Sequence, residues 1–458
     1  MAELLQLRRA ARLIFDEALR AVDAATAVKN AIRIEGSRLS VCEDSFQLSA
    51  GSRLCSIAIG KAATAMAVAL EDVFGDKFSQ GVIAAPAGNA GGRNLSKRWR
   101  CFEGGHPLPN EASLAAAEAA FALLDRANNE RALVIFLISG GGSAMLEAPI
   151  TKEITLEALC SANQTLVRCG ASIAEINAVR RAFSAVKGGR LGTRAPNSRQ
   201  VTLIVSDVPS GEEHNVASGP TLTQPADAPS AAEVVRRYKL SAKLPRSIMR
   251  ATESVATSSA SETLALQSER ETQELNRNGH FVLLDNDTAL EAAATAARRS
   301  GLTVEIARDI SDEPIDVGVE KLLTRLGQLK SSKGETDVCL VSGGEFACPV
   351  RGDGLGGRNL ETALRLAIAA EEHHDQIGEF VALCAGTDGL DGNSPAAGAI
   401  VDSTTIERAR RIGLDPTDFL DRSDSYSFFV ALGDVVTTGP TGTNVRDLRI
   451  LLAPAAPA

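Results

Sequence analysis

Four short apolar runs, separated by helical stretches, constrain the fold of the first half of the chain more than any other feature. The runs are Leu54–Ile59, Gly81–Ala85, Leu133–Ile138 and Val201–Val205. They lack the alternation of polar and apolar residues, which is typical of strands covered on both faces in a parallel sheet. Strand, helix and strand in repetition predict right-handed βαβ units and a doubly wound, Rossmann-like α/β sheet.

The same rhythm returns in the second half, after a polar stretch. That stretch, Thr221–Asn278, is rich in Ser, Thr, Glu and Arg and predicts a helical connector. A chain of 458 residues is too long for one ordinary core,. We therefore predict two α/β domains, residues 1–240 and a smaller 241–458, with the active site in the cleft between them. The strands predicted in the second half are Phe281–Leu284, Thr303–Ala307, Val338–Val341, Phe380–Cys384 and Leu448–Leu452.

Composition excludes several classes of partner. A net charge of -9 disfavours nucleic acid and anionic membrane surfaces, and no apolar run reaches the roughly 18 residues of a membrane span,. The N-terminal residues lack the apolar core of a signal peptide. Eight scattered cysteines form no CxxC pair, and Cys55, Cys339 and Cys384 lie in apolar runs. These features predict buried, reduced thiols in a cytoplasmic protein that binds a small molecule, and leave a homodimer open.

Two loops in the first half have the composition of an anion site. Gly60 and Lys61 follow the first predicted strand, and a helix follows them at once. A lysine in a first helical turn opposes the helix dipole unless an anion binds there; the alternative is a solvated side chain. Ser139, Gly140, Gly141, Gly142 and Ser143 follow the third strand, where consecutive backbone N–H groups can converge on phosphate; the alternative is a plain turn,. Met145 stands where a dinucleotide fingerprint needs glycine.

Acidic residues follow two other strands. Asp207 comes after Val201–Val205, and Asp388 lies with Asp391 among glycines after Phe380–Cys384. Either Asp207 or Asp388 could ligate Mg²⁺ or orient an acceptor hydroxyl. The alternative for Asp207 is an Asx-turn or a helix cap.

A second Ser-Gly-Gly segment follows the strand Val338–Val341. Its residues Gly343, Gly344 and Glu345 are predicted to bind nucleotide, and Arg358 again puts a cation in a first helical turn. The alternative for Arg358 is an ion pair with Glu361. Backbone cradle, cations and strand-end carboxylates together form the set that phosphoryl transfer requires.

These segments, taken in order, resemble the type II glycerate kinases, the family with a C-terminal MOFRL domain. The resemblance runs from about Arg9 to Leu452. Its carriers are AIGKAA, GGHPLPNEAS, SGGGSAMLEAP, INAVRRAFSAVKGGRLG, SDVPSG, SGPT, SGGE, GLGGRNLE, AGTDGLDG and GPTGTNVRDL.

The resemblance implies phosphorylation of D-glycerate by ATP with Mg²⁺, commonly at the C2 hydroxyl. It also implies that Lys61 and Arg358 are catalytic, since both match basic residues at the family's catalytic positions. Asp207 is predicted as a third catalytic residue from its position after a strand, and not from the resemblance. Some relatives carry the name hydroxypyruvate reductase, which leaves NAD(P)H-dependent reduction as the alternative. A sensor that binds a hydroxy acid without chemistry is the other. Leu360, Pro395 and Arg446 depart from the family pattern, so the acceptor acid stays open.

Overall fold

The computed structural model describes residues 2–48, 53–88, 95–225, 227–258, 278–332, 336–373 and 377–455. Its helices are α1 Ala2–Ala21, α2 Ala24–Ala31, α3 Ala63–Phe74, α4 Glu111–Glu130, α5 Gly142–Met145, α6 Leu156–Val167, α7 Ile173–Phe183, α8 Ala231–Arg237, α9 Arg246–Ser258, α10 Asn286–Arg299, α11 Ile315–Ser332, α12 Arg358–Glu372, α13 Thr405–Arg411, α14 Pro416–Asp421 and α15 Ser425–Leu432.

The strands form three sheets. They are β1 Ile32–Glu35, β2 Arg38–Val41, β3 Asp44–Gln47, β4 Leu54–Ile59, β5 Phe78–Ala85, β6 Trp99–Glu103, β7 Leu133–Ser139, β8 Arg199–Val205, β9 Asn278–Leu284, β10 Thr303–Ile306, β11 Val338–Gly344, β12 Val381–Gly386, β13 Gly398–Asp402, β14 Val435–Val436 and β15 Asp447–Ala453. The chain divides into two compact units, and each sheet lies within one of them.

The central unit, Ala24–Leu284, contains an all-parallel sheet of six strands. Its order, β6-β5-β4-β7-β8-β9, is the doubly wound order in which the chain starts in the middle and winds first one way and then the other,. The predicted Rossmann-like fold is confirmed. In such sheets ligands bind beyond the carboxyl ends of the strands where the winding reverses, which here is between β4 and β7.

Small and aliphatic side chains hold this sheet to its helices. Every residue of β4 and β7 is buried, as the uninterrupted apolar runs predict. The alanine-rich helix α4 packs with them in a core that includes Ile57, Val82, Leu124 and Phe136. This packing fixes the two strand ends that carry the candidate site.

Three features of the central unit were not predicted: a separate antiparallel sheet, the edge strand β6, and the packing of four helices into one cluster. The strands β1, β2 and β3 form a separate antiparallel sheet, and β6 is an edge strand with four of its five residues partly or fully exposed. The helices α6 to α9 form a further cluster whose core includes Leu159, Val179, Phe183 and Ile248. Helices α8 and α9 lie in the predicted connector, of which residues 226 and 259–277 fall outside the described part of the chain.

The terminal unit combines Met1–Asp23 with Asp285–Ala458. Its six-stranded sheet has the order β10-β11-β15-β12-β13-β14 and is mixed, because β15 runs antiparallel to both β11 and β12. Helix α1 packs against α10 and this sheet. The core includes Leu322, Leu340, Leu364, Phe380 and Phe428.

The division between the units differs from the sequence-based boundary at residue 240. Strand β9, which the sequence pattern places in the second half, pairs in parallel with β8 and completes the first sheet. Helix α1 belongs to the terminal unit instead of opening the first domain. An apolar run shows that a strand is buried, but it does not show which sheet the strand joins.

The predicted buried cysteines are confirmed. Cys55, Cys339 and Cys384 are buried, unbonded thiols. Burial raises the pKa of Cys339 and of Cys384 to about 12, so both stay protonated and unreactive at neutral pH,. Among the described helices, none has the length and apolar content needed to cross a membrane.

Candidate active site

The end of β4 is locked against the end of β7 at the point where the winding reverses. Gly60 has a φ of +110°, and a Cβ there would lie 2.3 Å from the carbonyl oxygen of Ser139. The next amide, of Lys61, donates to the carbonyl of Gly140 over 2.9 Å. Only glycine fits between the two segments, because both the conformation and the close approach exclude a side chain.

Ser139 fastens the same junction through its side chain. Strand β7 extends to include this residue, one position beyond the prediction. Its hydroxyl donates to the carbonyl of Ile59 over 3.2 Å and accepts from the amide of Ala62 over 3.0 Å. Gly141, with a φ of +79°, then turns the chain into the short helix α5. We call the segment Ser139–Ser143 the glycine loop.

Lys61 lies on the glycine loop. Helix α3 begins at Ala63, one residue later than predicted, so Lys61 precedes the helix instead of occupying its first turn. A Cβ on Gly141 would lie 3.3 Å from Cγ and 3.5 Å from Cε of Lys61. The absence of a side chain at Gly141 therefore makes room for the lysine stem to run across the loop.

Asp207 reaches the same loop from β8. A Cβ on Gly140 would lie 1.9 Å from Oδ2 of Asp207, so the carboxylate packs directly against the glycine backbone. The structure thus brings together Gly60, Lys61, Asp207 and the glycine loop, as their common position at strand ends predicts.

A hydrogen-bonded chain that the sequence did not predict adjoins the loop. Oγ of Ser143 lies 2.9 Å from Oγ of Ser218, which donates to Oδ1 of Asn177 over 2.9 Å. Nδ2 of Asn177 donates to Oδ1 of Asn215 over 3.3 Å, and Nδ2 of Asn215 donates to Oε2 of Glu212 over 3.4 Å. Its members come from α5, α7 and the turn after β8, so sequence spacing does not reveal them.

Buried charges lie next to the same region. Lys187 and Glu147 form an ion pair in which the side chains are 1% and 2% exposed. Oε1 of Glu147 also accepts from the Ser184 hydroxyl over 2.6 Å and from the Ala148 amide over 3.0 Å. Burial lowers the pKa of Lys187, and the charge of Glu147 opposes that effect. The pair holds the loop after α7, which carries Lys187, to the segment after α5, which carries Glu147.

The second Ser-Gly-Gly segment is not a loop. Strand β11 continues through Gly344, three residues beyond the prediction, because it pairs with β15 up to the match of Gly344 with Asp447. The Gly344 amide donates to Oδ1 of Asn286 over 2.9 Å. The Glu345 amide donates to Oδ1 of Asp312 over 3.1 Å. The carbonyl of Gly344 accepts from Arg449, which is 1% exposed.

Arg358 stands in the first turn of α12, as predicted, but in the company of two carboxylates. Its Nε lies 2.5 Å from Oδ2 of Asp447, and its Nη2 lies 2.7 Å from Oε1 of Glu345. Burial acts to lower the pKa of Arg358, but these carboxylates outweigh it and raise the pKa above its ordinary value. The predicted alternative partner, Glu361, pairs with Arg365 instead.

Asp388 and Asp391 do different things. Asp391 accepts from the amides of Asn359 over 3.1 Å and Leu360 over 2.8 Å, so it caps α12 from outside the helix. Burial raises the pKa of Asp391 to about 7. Asp388 accepts from the Leu390 amide over 3.2 Å, as in an Asx-turn,.

The donor set fits a magnesium–nucleotide complex better than a protein-only metal site. Within the described ranges, no group of three His, Cys, Asp or Glu side chains could hold an ion. Mg²⁺ in kinases is held by one or two carboxylates together with phosphate oxygens and water. Asp207, packed on a loop that leaves no room for side chains, is one carboxylate that could take part in such a complex.

Comparisons with known proteins agree with this architecture. A family model described as DUF4147, a domain of unknown function, matches residues 10–253, and the MOFRL family model matches residues 338–447. The D-glycerate 2-kinase of Thermotoga maritima is 35% identical over 403 residues, which cover 87% of this chain and 90% of that protein. A protein of Agrobacterium vitis, provisionally named hydroxypyruvate reductase, is 38% identical and covers 87% of this chain and 99% of its own length.

A solved structure extends the agreement to the fold. The crystal structure of a glycerate kinase from Thermotoga maritima matches with a TM-score of 0.78 at 30% identity, covering 98% of this chain and 99% of that one. Fold and site together define a two-unit α/β protein with a glycine loop where its parallel sheet changes winding direction. The chain belongs to the glycerate kinase family that carries the DUF4147 and MOFRL domains.

Proposed function

We propose that this protein is an ATP- and Mg²⁺-dependent kinase that phosphorylates the C2 hydroxyl of D-glycerate, giving 2-phosphoglycerate and ADP. The observation that carries the proposal is the meeting of Lys61 and Asp207 on the glycine loop at the carboxyl end of β4 and β7. The names of the relatives from Thermotoga maritima support the choice of glycerate as acceptor.

The glycine loop and Lys61 suit the binding of phosphate. Phosphoryl transfer requires little covalent participation from the protein; it depends on positioning and on neutralising the charge of the transferred group. The lysine side chain lies across the loop, so a phosphate on the loop would lie beside an ammonium group. Lys61 is therefore the residue that stabilises charge in our scheme.

Asp207 is the proposed magnesium ligand of the central unit, or alternatively the residue that orients the acceptor hydroxyl. When bound, Mg²⁺ would neutralise charge on the β- and γ-phosphates. Asp388 in the terminal unit stays a second candidate for either task. Gly343, Gly344 and Glu345 remain predicted nucleotide contacts, although the amides of Gly344 and Glu345 already donate to side chains of their own unit.

Arg358 is the proposed cation of the terminal unit. Asp447 and Glu345 hold its guanidinium in place, which reduces the entropy lost when a third anion binds,. We place the reaction in the metabolism of glycerate, tartrate or hydroxypyruvate, in the cytoplasm.

The alternative reaction is the reduction of hydroxypyruvate with NAD(P)H. It requires a dinucleotide site, but the sequence after β7 lacks the glycine fingerprint of such a site, because Met145 occupies the third glycine position,. A thermal-shift assay separates the two reactions: we expect ATP with Mg²⁺ to raise the melting temperature and NADH to leave it unchanged.

A coupled ADP assay across D-glycerate, L-glycerate, tartronate and tartrate then measures the activity, with phosphorus NMR to locate the new phosphate. ADP release with D-glycerate, together with a phosphorus resonance from a phosphate attached at C2, would establish the proposed reaction. Oxidation of NADH with hydroxypyruvate, without ADP release, would overturn it.

A further inference from the structure

In the hydrogen-bonded chain of side chains that runs from Ser143 to Glu212, the last member decides which group donates and which accepts at every step. That member is Glu212, and the oxygens of its carboxylate accept hydrogen bonds and donate none. Asn215 must therefore present its NH₂ group to Glu212 and its amide oxygen to Asn177. Asn177 in turn presents its NH₂ group to Asn215 and its amide oxygen to Ser218.

This order determines where the Ser143 proton lies. The only hydrogen of the Ser218 hydroxyl is used on Asn177, so Ser218 can only accept from Ser143. Ser143 must donate, and the lone pairs of its oxygen face away from Ser218. Ser143 is partly exposed, whereas Ser218, Asn177 and Asn215 are 0%, 1% and 4% exposed.

The backbone that carries Ser218 is held in an uncommon conformation. Ala217 and Ser218 have φ values of +50° and +62°, and Gly219 follows at +65°. Each non-glycine residue in this region costs on the order of 1 kcal/mol, and such strain collects at functional sites. The strained turn places the Ser218 hydroxyl between Asn177 and Ser143.

We propose that Ser143 is a ligand of the divalent cation that accompanies the nucleotide, and that Ser218, Asn177, Asn215 and Glu212 position it. A hydroxyl whose proton is directed into the protein offers only lone pairs to its other side, which suits a cation. Serine and threonine hydroxyls act in this way in other phosphate loops. The proposal rests on the proposed function for the presence of a nucleotide at this loop.

The first experiment measures binding of Mn²⁺ to the full-length enzyme with ADP by electron paramagnetic resonance. We expect Ser143→Ala to weaken Mn²⁺ binding by at least about 10-fold. We expect Ser143→Cys to shift the metal preference of the ADP complex from Mg²⁺ towards Cd²⁺, because thiolates select softer ions. Wild-type Mn²⁺ affinity in Ser143→Ala would overturn the proposal.

The second experiment tests the positioning residues. Ser218→Ala removes the acceptor for the Ser143 proton, and we expect Mn²⁺ affinity in the ADP complex to fall about 10-fold. If the alanine variant does not fold, Ser218→Cys, which keeps the size of the side chain, is used in its place. The matched control is Ser198→Ala, since the Ser198 hydroxyl is buried in the same unit and has no hydrogen-bond partner. We expect wild-type binding in that control.

A third measurement separates a metal contact from a nucleotide contact. Calorimetry of ADP binding in excess EDTA should give the same affinity for wild type and Ser143→Ala. An equal loss with and without metal would mean that the hydroxyl binds the nucleotide, and would overturn the proposal. If wild type binds Mn²⁺–ADP but does not phosphorylate glycerate, the proposed function fails while the metal assignment stands.

Discussion

The two Ser-Gly-Gly segments of this protein have the same three residues but different structures. Ser139-Gly140-Gly141 leaves its strand after the serine and forms a loop on which Lys61 and Asp207 lie. Ser342-Gly343-Gly344 stays in its strand to the last residue. In the first segment the missing side chains make room for residues of the candidate site. In the second they make room for a side chain that supports the fold, since a Cβ on Gly343 would lie 1.9 Å from Oδ1 of Asn286.

The neighbouring strands account for the difference. The strands on both sides of β7 are parallel to it, and all three end near the same edge, so the chain must turn there. The neighbour of β11 is the antiparallel strand β15, which begins at Asp447 opposite Gly344 and extends the pairing over the glycines. The same residues therefore form a loop or a strand according to the direction of the partner strand, which the local sequence does not encode.

The largest expected effect is a loss of activity without a loss of stability, and it belongs to the central unit. Lys61→Ala should lower kcat by about 10³–10⁵-fold, the range known for cations that stabilise phosphoryl transfer. Its melting temperature should stay near wild type, because the side chain lies partly exposed over a loop. Steady-state kinetics and circular dichroism check both parts, with exposed Lys152→Ala of the same unit as the control. Near-normal kcat would remove Lys61 from the mechanism.

Arg358→Ala is the corresponding test in the terminal unit. We expect a comparable loss of kcat, together with a lower melting temperature, because Asp447, whose side chain is 3% exposed, loses its guanidinium partner,. Arg358→Lys should recover stability more than activity, since an ammonium cannot reproduce the contacts to Asp447 and Glu345. Full activity in the lysine variant would contradict a role for the planar guanidinium.

The next effect is on stability and compares two ion pairs. Glu147→Gln leaves the ammonium of Lys187 buried without a carboxylate, which should cost about 3–5 kcal/mol of unfolding free energy,. Glu345→Gln removes a carboxylate that is 33% exposed from an arginine that keeps Asp447, and should cost about 1 kcal/mol or less,. Denaturant titration of each variant measures the difference.

A double variant tests the reason given for that cost. Replacing the pair together, Glu147→Leu with Lys187→Met, should recover most of the stability lost in Glu147→Gln, because no ammonium stays buried at position 187 without a carboxylate. If the double variant is less stable than Glu147→Gln, the loss comes from packing and hydrogen bonds to Glu147 and the electrostatic explanation is wrong.

Matched substitutions in the two Ser-Gly-Gly segments should give opposite profiles. In Gly140→Ala the new Cβ meets the Asp207 carboxylate, so we expect a loss of kcat with a small change in stability. In Gly343→Ala it displaces Asn286, which accepts from Gly344 and donates to the carbonyls of Val445 and Asp447. We expect a stability cost of about 1–3 kcal/mol there. Kinetics and thermal melts are the measurements; identical profiles would erase the distinction between the segments.

The local pattern predicted much of this molecule and missed what depends on long-range pairing. Buried runs marked β4, β7 and β8 correctly, and the residues after those strands were correctly singled out: Lys61, Asp207 and the glycine loop lie together in the structure. The assignment of β9 to the first sheet was missed because burial does not name a partner strand. The Ser143–Ser218–Asn177 contacts were missed because their residues are 75 and 41 positions apart.

The last expected effect is a dependence on pH that originates in the terminal unit. Asp391 is 3% exposed, and burial raises its pKa to about 7 from 3.8, against the opposing effect of the Leu360 amide. Between these values the folded protein holds a proton that the unfolded chain has released. Raising the pH through this window therefore lowers stability, by at most about 1.4 kcal/mol for each pH unit.

Asp391→Asn isolates that effect, because the amide oxygen can still accept from the first turn of α12 while carrying no titrating proton. Melting temperatures of both proteins at pH 5, 6 and 7 give the comparison, and carboxylates common to the two cancel. We expect the advantage of the asparagine variant to grow as the pH rises. Parallel curves would show that Asp391 is ionised throughout, in which case its two backbone N–H donors outweigh its burial and the cap of α12 carries a full negative charge beside Arg358.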